Sequence, residues 1–219
     1  MRAPCFILLA APLALLPKAW AQPPNMQALA QALGVNCDYC HAADAAPKKQ
    51  IASAMIAMTA EINSKVQAAT GLAASQAVKV QCVTCHRGVP VPRALADILA
   101  QTLRDKGAAA AIDQYRGMRQ KYYGREAYDF GEDTLIGIAR AVVQSRPADS
   151  IALLQLNLEF YPRSAATYSE IAFAYTRKLD DDSAIQNLQK ALEIEPDNGV
   201  IRGQLEQLQS YQRGRQRRQ

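Results

Sequence analysis

The pentapeptide Cys-x-x-Cys-His occurs twice, as Cys37-Asp38-Tyr39-Cys40-His41 and as Cys82-Val83-Thr84-Cys85-His86. The chain has five cysteines and two histidines, and only Cys5 lies outside these motifs. This pattern is that of covalent c-type haem attachment. The two thiols add to the haem vinyl groups, and the adjacent imidazole ligates the iron from one side. Cys37, Cys40, Cys82 and Cys85 are therefore the candidate thioether residues, with His41 and His86 as candidate proximal iron ligands. The expected cofactors are two covalently bound c-type haems. A bare C-x-x-C also reads as a redox dithiol, and the two pairs together as one four-thiolate zinc site. The gap from Cys40 to Cys82 is long for a zinc ribbon.

The N-terminus supports the haem reading. Arg2 precedes an apolar run over residues 5–16, and Ala19-Trp20-Ala21 offers a small-residue cleavage site. This reads as a secretory signal over residues 1–21. The run is short against ~30 Å of hydrocarbon, so cleavage is expected rather than a permanent anchor, and Cys5 leaves with the signal. The expected location is the periplasm or another exported compartment, with no stable membrane span after cleavage. Free cysteines in such a compartment tend towards disulfides. Haem attachment competes for the same thiols, and the histidine beside each pair favours it.

The 219 residues carry a formal net charge of +5. Residues 22–92 hold five basic and three acidic residues, whereas 130–212 hold seven basic and twelve acidic. A basic tail, 213–219, closes the chain with four arginines. So short a run reads as a solvated, disordered end, and no nucleic-acid module accompanies it.

Periodicity places a small domain at 22–92. Met26, Leu29 and Leu33 predict a first helix, which Gly34 stops. Ile51, Met55, Met58 and Ile62 fall on one face of a second, over about 48–65, with Thr70-Gly71 breaking the pattern. Without cofactors this domain buries little apolar surface. Residues 93–130 predict a helical hairpin (94–104 and 108–122) and a linker loop at 124–131. Residues 131–212 repeat with a period of 34. Ile151-Ala152-Leu153-Leu154 aligns with Ile185-Gln186-Asn187-Leu188, and Ala139 and Ala141 with Phe173 and Tyr175. That period is the tetratricopeptide one, two antiparallel helices per unit. Ala172, Ala174, Ala184 and Ala191 are small residues suited to close helix contact, and residues 180–183 offer a helix cap. The fold class expected is all-α: a small dihaem cytochrome c domain followed by a tetratricopeptide-like helical-hairpin array.

No histidine remains for the far side of either iron, so methionine thioether is the candidate. Met26, Met55, Met58 and Met118 are available after signal cleavage, and Met118 sits in a helix pattern that core packing explains.

Three segments resemble the multihaem cytochrome subunit of photosynthetic reaction centres. They are Leu33-Gly34-Val35-Asn36 with the first motif, the run Ala54-Met55-Ile56-Ala57-Met58-Thr59-Ala60-Glu61-Ile62-Asn63, and Val80-Gln81 with the second motif and Arg87-Gly88. The resemblance covers about residues 26–92, one pair of that family's sites. It implies a helix carrying an axial methionine before each haem motif. Carried over, Met26 faces the iron of His41 and Met55 that of His86, with Met58 as the alternative to Met55. Ser53-Ala54 stands where the family often has Ala-Arg. Two His/Met sites leave no open coordination position. The expected function is therefore electron transfer between redox partner proteins rather than catalysis, so no catalytic residue is assigned. The repeat domain is expected to dock a protein or peptide. The competing readings are a dihaem peroxidase or oxidase with one open haem, and a haemless repeat scaffold.

Overall fold

Asn25 starts the first helix, α1 (Met26–Leu33), by accepting hydrogen bonds from the Gln27 and Ala28 amides at 3.1 Å. Gly34 ends it in the left-handed region at φ 63°, as the sequence predicts. The computed structural model describes residues 25–217, and among them the fold is all-α with ten helices. The expected signal segment, Cys5 and residues 218–219 lie outside the described residues.

The first motif forms α2 (Asp38–His41) and the second forms α4 (Cys82–His86). Between them runs α3 (Ala46–Thr70), longer at both ends than the apolar stripe alone predicts. Pro47 fits its first turn, where no amide partner is lost. Gly71, at φ 65°, closes it. Helix α1 packs on α4, and α2 packs on α3. Within residues 25–92 only Ala32, Ala45 and Val89 are buried, so protein side chains alone give this part almost no core.

The main core lies further along. Helix α5 (Leu95–Tyr122) is broken at Gly107, whose φ of 85° separates the two helical stretches expected there. It packs against α6 (Glu132–Val142) and α7 (Pro147–Phe160), burying Leu99, Leu103, Tyr115, Leu135 and Leu154 completely. Met118 is partly buried against this cluster. The loop between α5 and α6 is fixed by aromatic contacts. The Arg119 guanidinium lies 4.0 Å over the Tyr123 ring and 4.2 Å over Phe160, and donates to the Phe130 carbonyl at 3.3 Å.

Helices α8 (Ala165–Arg177), α9 (Asp181–Ile194) and α10 (Gly199–Gln216) continue the array, each packed on its predecessor. Ala172, Ala174, Ala184 and Ala191 are all buried, allowing the close approach that their size suggests. Helices α7 and α9 start 34 residues apart, but α6 and α8 start 33 apart. Buried Ala139 therefore corresponds to buried Ala172, and the alignment of Ala139 with Phe173 is corrected by one residue, since Phe173 is exposed. From helix start to helix start the second pair is one residue longer, 16 against 15, because α8 has 13 residues against 11 in α6 while the turn after it has three against four. The basic tail is also corrected in part. Residues 213–216 continue α10, and Arg215 pairs at 3.1 Å with the buried carboxylate of Asp181.

Asp180 caps α9, accepting from the Ser183 amide at 3.0 Å and from its hydroxyl at 2.7 Å. These bonds, the amide's first, hold its carboxyl below the usual carboxylate range. A depressed folded-state pKa contributes stability above about pH 4 that fades as pH falls through the folded value. Asp180→Ala is expected to cost about 1 kcal/mol at neutral pH. Denaturant titrations followed by far-ultraviolet dichroism should show the gap closing in acid.

Candidate haem sites

Local structure around each motif follows from its flanks. Before α2, the Asn36 side chain accepts from the Tyr39 amide at 3.3 Å. Before α4, the Gln81 amide donates to the Thr84 hydroxyl at 3.0 Å. The two helices are a single turn long, so cysteines three apart present their thiols on the same side, with histidine next in line. All four cysteines are free; Cys37 and Cys85 are exposed, and Cys40 and Cys82 half-buried.

His86 is the better defined of the two candidate ligands. Its Nδ1 lies 3.0 Å from the Val89 carbonyl oxygen. A carbonyl only accepts, so Nδ1 is the donor in this bond, and in a neutral ring Nε2 is then the nitrogen with the free lone pair. A backbone carbonyl on the far ring nitrogen is the usual way a ligating histidine is oriented. Val89 is itself buried, and its amide donates to the His86 carbonyl at 2.9 Å. His41 lies at the exposed end of α2.

The second motif is joined to α1 through backbone rather than side chains. The Gly88 amide donates to the Ala32 carbonyl at 2.9 Å, joining the end of α4 to α1. Gly34 sits so close that a Cβ there would lie 2.1 Å from the Gly88 carbonyl oxygen. On its other side, Arg87 donates to the Glu126 carbonyl at 3.2 Å, tying the second motif to the aromatic loop after α5.

The candidate methionines line exposed surfaces. Met26 is 56% exposed on α1, and Met55 and Met58 are 43% and 46% exposed on α3. Ile51 and Val83 are exposed beside them in sequence or on the partner motif. Helix α3 buries no residue. These apolar side chains fit a large apolar ring, since burying each is worth about 1.5–3 kcal/mol. The donor set also fits: free thiols, an imidazole held with Nε2 open, and thioethers on neighbouring helices. Among the described residues no three or more His, Cys, Asp or Glu side chains converge as a bare metal ion requires.

Two features escape the sequence reading. The Val89 carbonyl carries no side-chain signal at all. Asn63 forms two hydrogen bonds to the backbone of Val80, at 2.9 and 2.7 Å. Its signal was an asparagine, a poor helix former, inside an otherwise favourable helical run.

Residues 42–123 match the family described as Photosynthetic reaction centre cytochrome C subunit. The match spans α3 with Met55 and Met58, the whole second motif, and α5; it begins just after His41. It supports a cytochrome reading of this stretch. Comparison with curated proteins gives no match. Among the described residues no helix is long and apolar enough to cross a membrane.

Proposed function

We propose that this protein is an exported dihaem c-type cytochrome that carries electrons between protein partners. The observation that carries the reading is the second motif. Free Cys82 and Cys85 stand on one turn with His86, whose Nε2 is left open by the Nδ1 bond to Val89. The family match over this same stretch supports it. The first motif repeats the pattern in sequence on α2.

Bound c-type haem supplies a reversible one-electron iron couple. The chain's own residues determine what that couple is used for. His41 and His86 each donate one imidazole. Met26 and Met55 are proposed to close the opposite positions, which excludes external ligands and disfavours oxygen or peroxide chemistry. Thioether ligation also favours a higher potential than a second histidine. Redox partners dock through small, short-lived interfaces. The helical array after α5 is proposed as tetratricopeptide-like, a docking surface for a protein partner. Its α8 and α10 border a groove of about 620 Å³ lined by Phe173, Thr176, Gln204, Leu208 and Tyr211.

Carbon monoxide tests the reading against the enzyme alternative. Two closed sites predict an unchanged spectrum when the reduced, undamaged protein is exposed to the gas. Stoichiometric binding at one iron instead identifies an open site and a peroxidase or oxidase.

A further inference from the structure

Helix α3 carries Met55 and Met58, yet buries none of its 25 residues. Packing therefore does little to set its register against the rest of the chain. Two side chains tether it. The Lys48 ammonium stands 4.5 Å over the Tyr39 ring of α2, near the start of the helix. Near the other end, Asn63 grips Val80: its Nδ2 donates to the Val80 carbonyl at 2.9 Å, and its Oδ1 accepts from the Val80 amide at 2.7 Å. Among the described residues these are the only hydrogen bonds from an α3 side chain to a residue outside the helix.

Val80 lies two residues before Cys82, in the irregular segment entering α4 beside the extended Gln81. A carboxamide is suited to this grip because it offers one donor and one acceptor together. We infer that Asn63 is a positioning residue for the second haem site, setting which methionine of α3 stands opposite His86. Met55 and Met58 are three residues apart, about 4.5 Å along the axis. A slip of one turn between α3 and the segment leading to Cys82 exchanges them. Asn63 fixes that register through hydrogen bonds to Val80, not to a candidate iron ligand or thiol. The inference rests on the haem reading proposed above.

The test uses the full exported protein with its haem attached. Asn63→Ala removes both bonds; Asn63→Asp keeps the acceptor for the Val80 amide and loses the donor. Both are expected to retain two haems by intact mass. The Val80 amide should exchange about five- to tenfold faster in Asn63→Ala, the loss of roughly one hydrogen bond. The decisive readout is ligand choice. Met58→Ala alone should leave both sites low-spin. Combined with Asn63→Ala, it should raise the high-spin fraction at the second site, because the loosened register lets Met58 compete. If Met58→Ala stays silent in the Asn63→Ala background while Val80 exchange accelerates, Asn63 merely anchors the chain and the inference is overturned. A wild-type protein without haem removes the underlying reading instead, an outcome the mass measurement separates from the first. Should Asn63→Ala not fold, the same pairing with Asn63→Asp gives the same decision.

Discussion

Met26→Ala and Met55→Ala are each expected to convert one of two low-spin haems into a high-spin, carbon monoxide-binding site, while Met58→Ala leaves both low-spin. The chain supplies no third histidine, so loss of a ligating thioether leaves water or nothing in its place. Exposure does not choose between Met55 and Met58, since 43% and 46% are equivalent. The choice of Met55 comes from the family resemblance, in which the first methionine of the pair is axial. The thioether-to-iron charge-transfer band and magnetic dichroism read the outcome directly. Met26→Ala and Met55→Ala should each lose about half the band and bind carbon monoxide at one iron of the pair. Met58→Ala opening the second site would move the assignment by one helical turn and leave the rest standing.

The second large effect is expected at Gly34. Alanine there faces two costs. The left-handed backbone at φ 63° disfavours any Cβ by about 1–2 kcal/mol. In addition the new atom would lie 2.1 Å from the Gly88 carbonyl oxygen, a backbone atom that no rotamer change can move. Overpacking of this kind typically costs a further 1–3 kcal/mol. Gly34→Ala should therefore destabilise the N-terminal part by about 2–5 kcal/mol, parting α1 from α4. Gly71→Ala is the matched control. Its φ of 65° carries the same backbone penalty, but nothing lies within 4 Å of its Cβ position. Guanidinium titration followed at the Soret band, which reports the haem-bearing part alone, should separate the two variants clearly. Equal midpoints would mean that the α1–α4 approach contributes little.

Much of this architecture was legible in the sequence because it depends on local chemistry. Gly34 and Gly71 end α1 and α3 where a break in the helical pattern was expected. Asp180 caps α9 through a bond formed within four residues. The alanines of α8 and α9 are buried where small size was needed. What was not legible depends on residues far apart. No periodicity announces that the Gly88 amide meets the Ala32 carbonyl, or that Asn63 holds Val80. The Arg119 contacts with Tyr123 and Phe160 join three elements, and composition shows only that aromatic residues are present. The one-residue shift between α6 and α8 arises from a longer α8 followed by a shorter turn, a difference that no fixed repeat period encodes. At the candidate haem sites, the sequence displays the motif residues themselves. It does not display the ring orientation of His86, since a backbone carbonyl sets it.

The most direct measurement is the intact mass of the full protein after export in cells competent for haem attachment, with a count of reactive thiols. The account predicts a chain carrying two haems, with Cys37, Cys40, Cys82 and Cys85 unreactive because each is a thioether. A bare polypeptide mass, with those four cysteines as titratable thiols or as disulfides, would contradict it.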